Sequence, residues 1–340
     1  MSKGLVLVTG VTGFVGTAVA LAYFEAGYTV RGTCRSQSKA EEWISLFPQY
    51  KSKFEYAIVE DIAVPGCFDE AVKGVEIIAH TASPFTYDIK DNEKDLLLPA
   101  IAGTHNLLSA TSLSPTLKRI VLTSSFASVF DFATFPAMGK TYTDDVWNPA
   151  TYEEAKTHAH PGYVYCASKV LAERTFWEWI ERERPGWEGS VVCPPNIYGP
   201  PRQPLSSLSS LNTSTKDVWN IMSGAYKEGL PPTAMPAFVD VRDVALAHVR
   251  ATEREEAKGQ RYLLIGGVYT NEEIASIIAQ SHPELNDRLP KVDDASKVNH
   301  DLLYDSSKAQ EQLGIQFIPL EKCIRDTADR LVQIEKDLKH

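Results

Sequence analysis

The sequence predicts an α/β protein, a doubly wound parallel sheet with a smaller α/β lobe towards the C-terminus. The chain opens on a continuous apolar run, Leu5 to Val8, which is typical of a strand buried on both faces of a parallel sheet. Runs of strand length then alternate with segments of helical spacing, the pattern that βαβ units produce. The length of 340 residues allows about two domains, at about 150 residues for each.

The first half of the chain supplies five strands and the helices between them. Gly27, a residue type favoured just past a helix end, closes the first helix. The predicted strands are Leu5 to Val8, Thr29 to Cys34, Phe54 to Val59, Val75 to His80 and Ile120 to Thr123. The predicted helices are Phe14 to Ala26, Phe68 to Val72 and Leu96 to Ala110. Right-handed crossovers between such strands give a sheet that helices cover on both faces.

The second half of the chain is less regular. Phe126 to Pro161 is a long excursion, placed where such sheets bind ligands at their carboxyl edge. A long helix, Val164 to Ile180, and a strand, Ser190 to Cys193, follow it. Five prolines between Pro194 and Pro204 mark a boundary. We therefore predict a main domain over residues 1–193, rejoined by residues 237–265, and a smaller substrate-binding lobe over residues 194–236 and 266–340.

Composition excludes several classes of protein. The 34 lysines and arginines against 44 aspartates and glutamates give a net charge of −10, the wrong sign for binding nucleic acid or an anionic membrane. The five cysteines form no C-x-x-C pair, which favours reduced thiols over a disulfide framework. The N-terminus lacks a signal-peptide pattern, and no apolar run approaches the ~18 residues of a transmembrane helix. We expect a cytoplasmic protein without nucleic-acid or membrane partners.

A glycine-rich turn joins the first predicted strand to the first helix. Three glycines recur at three-residue spacing in the stretch from Thr9 to Gly16. Such spacing alone also fits a plain tight turn, but between a strand and a helix it predicts a dinucleotide site. The glycines permit a sharp turn and close approach of a pyrophosphate, while the helix N-terminus directs N–H groups at the phosphate. The expected cofactor contacts here are Gly10, Thr12, Gly13, Phe14, Val15 and Gly16.

The end of the second predicted strand indicates which dinucleotide is bound. A site for NAD usually places Asp or Glu there to bind the ribose 2′-hydroxyl. This chain has Arg35 and Lys39 instead, and no carboxylate until Glu41. Because two cations suit a 2′-phosphate, we predict NADPH as the cofactor, with two solvated basic side chains as the plain alternative. Asp61 and Ile62, after the third strand, are expected at the adenine, with a helix cap as the other role for Asp61.

The chain contains three Tyr-x-x-x-Lys pairs, which are Tyr152 and Lys156, Tyr165 and Lys169, and Tyr304 and Lys308. A carbonyl that receives a hydride needs a proton donor at its oxygen, and a lysine one helical turn from a tyrosine lowers the pKa of the phenol. Tyr165 opens the predicted long helix that follows the fifth strand, whose end carries Ser124 and Ser125. A serine at that strand end can orient the carbonyl. Position therefore favours the pair Tyr165 and Lys169.

Together these motifs resemble the extended short-chain dehydrogenase/reductases. The branch is that of the dihydroflavonol reductases, the cinnamoyl-CoA reductases and the fungal NADPH-dependent methylglyoxal or aldehyde reductases, and the likeness is closest to these fungal ketoreductases. It covers nearly the whole chain. The stretches that carry it are Val8 to Gly16, Arg35 to Ala40, His80 to Phe85, Leu122 to Ser125, Tyr165 to Lys169, Asn196 to Pro200 and Asp240 to Ala245.

The resemblance implies a Rossmann-type fold and a carbonyl reductase, which moves hydride from NADPH to a ketone or aldehyde to give an alcohol. The implied catalytic residues are Ser125, Tyr165 as proton donor, and Lys169, which also holds the nicotinamide ribose. The implied further cofactor contacts are Thr81, Ala82, Ser83, Tyr165, Lys169, Pro195 and Ile197. The implied walls of the substrate pocket are Phe85, Phe126 and Tyr198.

Other functions stay open at this point. A dihydroflavonol or cinnamoyl-CoA type reductase shares the motifs, and a nucleotide-sugar epimerase or dehydratase shares the fold but needs a wide polar site. A non-catalytic NADP-sensing regulator does not need the serine, tyrosine and lysine together. No metal site is predicted, since His158 and His160 stand two apart in a loop. We expect a small-molecule carbonyl substrate and a monomer or homodimer.

Overall fold

The strands of the protein follow the alternation predicted for its sequence. The computed structural model describes residues 2–84, 89–292 and 301–338. In chain order the strands are β1 (Leu5–Thr9), β2 (Thr29–Cys34), β3 (Phe54–Ile58), β4 (Ile77–His80), β5 (Arg119–Thr123), β6 (Thr141–Tyr142), β7 (Glu188–Cys193), β8 (Asn196–Tyr198), β9 (Ala237–Asp240), β10 (Gln260–Leu263), β11 (Gly267–Val268) and β12 (Leu303–Tyr304).

Seven of these strands form one sheet in the order β3-β2-β1-β4-β5-β7-β10. Every neighbouring pair in this sheet runs parallel. The chain builds outward from β1 to β3 on one side and from β4 onward on the other, so the strand order reverses between β1 and β4. The loops after these two strands diverge and leave a crevice at the carboxyl edge of the sheet. The predicted doubly wound parallel sheet is confirmed.

Helices cover both faces of this sheet and build the second lobe. They are α1 (Phe14–Glu25), α2 (Gln37–Ser45), α3 (Asp69–Val72), α4 (Leu98–Ala110), α5 (Tyr152–Thr157), α6 (Pro161–Glu183), α7 (Thr213–Ser223), α8 (Val241–Glu253), α9 (Asn271–Ser281), α10 (Ser307–Leu313) and α11 (Leu320–Asp337). A turn of π-helix, Glu93–Leu97, precedes α4. α1 packs against α8 on one face of the sheet, and α4 packs against α6 on the other.

The packing of β1 explains why its sequence is continuously apolar. Val6 and Val8 pack with Val19 of α1 on one face, whereas Leu7 packs with Leu107 of α4 on the other. Successive side chains of a strand point to opposite faces. A strand that helices cover on both sides therefore needs an apolar residue at every position.

The start of α6 lies earlier than the spacing of apolar residues predicts. The helix begins at Pro161 and not at Val164. Proline suits the first position of a helix, where its missing N–H would have no intrahelical partner. The Nδ1 atom of His160 accepts the N–H of Gly162 at 3.0 Å and caps this end of the helix. The helix that carries the candidate tyrosine thus has a defined start.

The second lobe has a core of its own. Val218, Ile221 and Met222 of α7 pack there with residues of α9 and α11. A three-stranded sheet, β11-β9-β8, lies beside the main sheet, and β10 joins the main sheet next to β7. Within residues 237–265, β10 joins the main sheet and α8 packs on its face, whereas β9 belongs to the smaller sheet, and the domain boundaries stay a prediction.

α10 lies outside the lobe to which the predicted boundaries assign it. Its residues Ala309 and Leu313 are one helical turn apart and belong to the same hydrophobic cluster as Val121 of β5 and Val192 of β7, and α10 contacts β10 and α8. β12 likewise pairs with β6, in the excursion that follows β5. Part of the C-terminal segment thus packs against the main domain, because the apolar residues of α10 are buried there.

Gly32 lies within β2, where a side chain would collide with the turn that follows β1. A Cβ added at Gly32 would lie 2.5 Å from Cγ1 of Val11 and 3.0 Å from Cε2 of Phe54. We expect Gly32→Ala to lower the free energy of unfolding by about 1–3 kcal/mol, the usual cost of overpacking a core, as measured by urea titration. Gly186→Ala is the control, because nothing lies within 4 Å of its added Cβ. Equal losses of stability in the two variants would contradict this account.

Candidate active site

The glycine turn after β1 is held in one conformation by its own backbone. Gly10 has a φ of +67°, in the left-handed region that favours glycine. The N–H of Gly13 donates to the carbonyl oxygen of Gly10 at 3.0 Å. A Cβ at Gly16 would lie 2.2 Å from the same oxygen, so α1 can approach the turn this closely only with glycine there. The first turn of α1, with its unpaired N–H groups, therefore lies at the carboxyl edge of the sheet.

Thr9 ties the ends of β1 and β4 together. Its hydroxyl oxygen accepts the N–H of Thr81 at 3.0 Å and of Ala82 at 2.9 Å. Its own hydrogen therefore goes to Nδ1 of His80, which is 2.9 Å away. His80 then carries its hydrogen on Nε2 and is neutral, and burial, with a smaller effect of Lys169, lowers its pKa to about 4. The segment predicted to run under the cofactor is thus fixed to β1.

The predicted basic residues follow β2, next to the glycine turn. Thr33 connects the two, since its Oγ1 accepts the N–H of Gly10 at 2.9 Å. Arg35 is exposed two residues further along the chain. Lys39 is exposed on α2 and pairs with Glu42 at 2.8 Å. Arg35 thus follows the strand that bonds to the glycine turn, and Lys39 lies four residues further along the chain, on α2.

A cavity of about 700 Å³ opens at this edge, between the main sheet and the second lobe. The predicted residues that line it are Gly10, Gly13, Phe14, Val15, Gly16, Thr81, Ser125, Phe126, Tyr165, Pro195 and Ile197. A smaller cavity of about 20 Å³ is lined by four further predicted residues, Ile62, Ala82, Ser83 and Lys169. The fold thus brings most of the predicted set to one edge of the sheet.

α6 places Tyr165 at the large cavity and Lys169 one turn further on. Nζ of Lys169 lies 5.5 Å from the centroid of the Tyr165 ring. It donates to Oγ of Ser83 at 2.6 Å, which connects the helix to the segment after β4. Burial lowers the pKa of Lys169 to about 8, since a protein interior disfavours the charged ammonium. The lysine is therefore held next to the tyrosine by a neutral hydroxyl.

The other two Tyr-x-x-x-Lys pairs are engaged elsewhere in the described structure. Tyr152 donates to Glu93, and Lys156 pairs with the same carboxylate at 2.9 Å. Lys308 pairs with Asp144. Neither pair lines the two cavities. The place of each pair relative to the sheet, rather than the motif itself, thus separates the pair on α6 from the others.

Ser125 follows β5 and begins a short turn of 3-10 helix, Phe126–Ser128. Its Oγ accepts the N–H of Ala127 at 3.1 Å. Because this bond uses a lone pair of the oxygen, the hydroxyl hydrogen can be donated to a carbonyl. Ser125 lines the large cavity together with Tyr165. The pair can therefore present two hydroxyl groups to one ligand.

A buried ion pair lies behind Ser125. Oε1 of Glu173, on α6, accepts from Nε of Arg261, on β10, at 2.6 Å. The Glu173 side chain is 0% exposed and that of Arg261 is 7% exposed. The hydroxyl groups of Ser124 and Ser128, on either side of Ser125, both bond to Oε2 of Glu173. The loop that carries Ser125 is thus anchored to the helix that carries Tyr165.

The sequence motifs do not identify this ion pair or several of the residues that line the cavity. Glu173 is visible in the sequence as a charged residue on a helix face with Val170 and Phe176, and Arg261 as a charge within an apolar strand. A charge on a buried face is the signal that predicts such a pair. The missed walls have no comparable signal, since they come from loops and from α7, and they include Phe130, Phe132, Leu211, Asp217 and Met235.

Some predicted residues lie away from both cavities. Tyr198 is 1% exposed in the core of the second lobe, and its hydroxyl donates to Tyr269 at 2.9 Å, so it does not wall the large cavity. The two preceding residues of β8, Asn196 and Ile197, line the cavity instead. Asp61 accepts the backbone N–H two residues further on at 2.8 Å, as a turn residue does, and Thr12 lines neither cavity. Phe85 lies outside the described residues.

Within residues 2–84, 89–292 and 301–338, no helix combines the length and the apolar character needed to span a membrane. In the same ranges no three His, Cys, Asp or Glu side chains are grouped so that they could hold a metal ion. The five cysteines are unpaired.

Known proteins resemble the chain over nearly its whole length. A family model, the NAD dependent epimerase/dehydratase family, matches residues 6–266. An uncharacterized oxidoreductase of Schizosaccharomyces pombe is 41% identical over 340 residues, 100% of each chain. The ketoreductase azaE of Aspergillus niger is 37% identical and covers 96% of this chain and 97% of its own. A crystal structure of yeast methylglyoxal/isovaleraldehyde reductase Gre2 complexed with NADPH matches with a TM-score of 0.89 and 32% identity, over 98% of this chain and 99% of that one.

Because His80 is buried and neutral, we expect the free energy of unfolding to depend on pH. Its pKa of about 4 lies below the ordinary value of 6.5, so between these values the unfolded chain binds more protons than the folded one. The free energy of unfolding therefore falls as the pH is lowered from about 6.5 towards 4. At pH 5 we expect His80 to account for roughly 2 kcal/mol of this loss, measured by urea titration at pH 7 and pH 5.

The variant His80→Asn isolates this contribution, because its side-chain oxygen can accept from Thr9 and does not titrate. We expect a smaller loss of stability at pH 5 in this variant. His105→Asn, at an exposed position of α4, is the control and should lose stability with pH as the unmodified protein does. The same pH dependence in all three proteins would contradict the role of His80.

Proposed function

The chain belongs to the NAD dependent epimerase/dehydratase family, and from this premise we propose that it is an NADPH-dependent reductase of ketones or aldehydes. The observation that carries the proposal is the joint presence of Ser125, Tyr165 and the glycine turn on the wall of one cavity. Lys169 adds an ammonium 5.5 Å from the tyrosine ring. The relatives support the same class, since azaE is named a ketoreductase and yeast Gre2 a methylglyoxal/isovaleraldehyde reductase.

The turn after β1 fits a dinucleotide. The oxygen of Gly10 leaves no room for a side chain at Gly16, so backbone alone faces the place where a pyrophosphate would bind. The first N–H groups of the 12-residue helix α1 supply donors there. Arg35 and Lys39 would hold the 2′-phosphate, and Lys169 the nicotinamide ribose. When bound, NADPH supplies the hydride that the carbonyl carbon receives.

Each catalytic side chain takes a role that its surroundings support. Tyr165 donates a proton to the carbonyl oxygen as the carbon is reduced. Lys169, held by Ser83, stabilises the tyrosinate that this proton transfer leaves behind. Ser125 donates its hydroxyl hydrogen to the same carbonyl oxygen and orients it. Tyr165 and Ser125 therefore act on the same carbonyl oxygen, and Lys169 acts through Tyr165.

The walls of the cavity favour a carbonyl compound over a nucleotide sugar as the substrate. A sugar with several hydroxyl groups needs polar partners on most sides. Here the lining includes several large apolar residues beyond the glycine turn, among them Phe126, Phe130, Phe132, Leu211 and Met235. The same walls would suit the planar substrate of a dihydroflavonol type reductase, which stays the second candidate within this reaction class. A regulator without chemistry would not require the catalytic group.

Removing the hydroxyl of Tyr165 tests the proton donor. We expect Tyr165→Phe to lower kcat for a ketone or aldehyde by about 10²- to 10⁴-fold, the usual contribution of a general acid, with NADPH affinity unchanged. The measurement is the loss of NADPH absorbance in the near ultraviolet with a panel of ketones and aldehydes. Tyr152→Phe is the matched control and should keep full activity, since that hydroxyl bonds to Glu93 away from the cavities. A folded Tyr165→Phe enzyme with near-normal activity would refute the assignment.

Replacement of Arg35 tests whether the enzyme prefers NADPH to NADH. We expect Arg35→Ala to raise the KM for NADPH by about 10-fold or more, because a charged hydrogen bond to the 2′-phosphate is lost, and to leave the KM for NADH unchanged. Lys51→Ala, an exposed lysine before β3, is the control and should change neither value. Equal kcat/KM for NADPH and NADH in the unmodified enzyme would overturn this part of the proposal.

A further inference from the structure

Asp217 is the only charged side chain among the described residues that line the large cavity. It lies in α7, where Val218, Ile221 and Met222 point into the core of the second lobe. This packing holds the backbone of the helix in place, so Asp217, which is an exposed residue, stays on the wall of the cavity. The catalytic pair stands on α6, in the main domain. A fixed negative charge therefore faces the cavity from the lobe side.

The surroundings of Asp217 place few positive charges near its carboxylate. Burial raises the pKa of its carboxyl group, and Lys216, its exposed neighbour in the chain, lowers it in part. Within the described part of the chain, Lys216 is the one cation that acts on this pKa. Nearby walls such as Leu211 and Met235 are apolar and bring no counter-charge. A ligand in the cavity thus meets a solvent-exposed carboxylate with one cationic neighbour, Lys216.

We propose that Asp217 selects substrates by their charge. Carbonyl compounds with an ammonium group on the arm that points away from the carbonyl are favoured, and compounds with a carboxylate or phosphate on that arm are rejected. This inference rests on the proposed carbonyl reductase activity. Its physical basis is the Coulomb energy between two charges a few ångströms apart, which is larger in a cleft with apolar walls than in bulk water. Neutral ketones of the same shape are bound without regard to Asp217.

Three ketones of similar shape test the proposal. The neutral probe is 4-tert-butylacetophenone, its cationic isostere is 4-acetylphenyltrimethylammonium, and the anionic probe is 4-acetylbenzoate. In the unmodified enzyme we expect kcat/KM to decrease from the cation to the neutral ketone to the anion. In Asp217→Asn we expect the cation-to-neutral ratio to fall by about tenfold and the anion-to-neutral ratio to rise by about tenfold, which corresponds to about 1.4 kcal/mol for each charge.

The control variant is Glu228→Gln, which removes an exposed carboxylate outside the lining of the cavity. It should leave both ratios unchanged. Ratios that are the same in Asp217→Asn and in the unmodified enzyme, with equal thermal stability and NADPH affinity, would overturn the role of Asp217. Equal shifts in both variants would overturn it too, since a general surface-charge effect would then explain the selection.

A binding measurement separates this inference from the proposed function. If NADPH is consumed with none of the three ketones, nor with the wider panel of carbonyl compounds, the reductase assignment fails. The dissociation constants of the three compounds, measured by tryptophan fluorescence with NADPH present, still test Asp217. An order of affinity from cation to anion that disappears in Asp217→Asn supports the charge selection, and an order that is unchanged in this variant overturns it.

Discussion

The buried ion pair between Glu173 and Arg261 is the interaction that holds the parts of the site in relation to one another. An isolated charge is costly in a protein interior, and it is stable there only with a complete set of partners. Arg261 meets this requirement by donating also to the carbonyl oxygens of Asp144 at 2.8 Å and Val146 at 2.6 Å. The long excursion after β5 is thereby attached to β10. Helix, strand and excursion thus share one network, in which no member can move without leaving a buried group unpaired.

This network explains how residues from separate parts of the chain come together in the proposed catalytic group. Ser125 comes from the loop after β5, whereas Tyr165 and Lys169 come from α6. Glu173 is one turn beyond Lys169 on the same helix and bonds to the serines on either side of Ser125. The spacing between the two hydroxyl donors is therefore set by a helix and a strand rather than by a mobile loop. Such fixed donors need little rearrangement when charge develops on a carbonyl oxygen.

Features of the structure can be predicted from the sequence where the residues that specify them are neighbours in the chain. The apolar run of β1 and the glycines after it are contiguous, and the structure has the strand and the turn where they are predicted. The pocket walls gather residues that are far apart in the chain. The family resemblance implies that Tyr198 walls the pocket, yet its side chain packs in the core of the second lobe. Asp217 carries no signal in the sequence, because only the packing of α7 brings it to the cavity.

The sequence by itself determined the order of strands and helices, the doubly wound parallel sheet and the residue types of a dinucleotide site. It did so because apolar periodicity and glycine spacing act over a few residues. The order of elements also favoured Tyr165 and Lys169 among the three Tyr-x-x-x-Lys pairs. Only the tertiary structure decided which C-terminal helix packs on the main sheet, which residues form the other walls of the cavity, and which charges are buried together. These outcomes depend on contacts between segments that are far apart in the chain. Glu173 and Arg261, for example, are 88 residues apart, and a local sequence pattern does not encode such a contact.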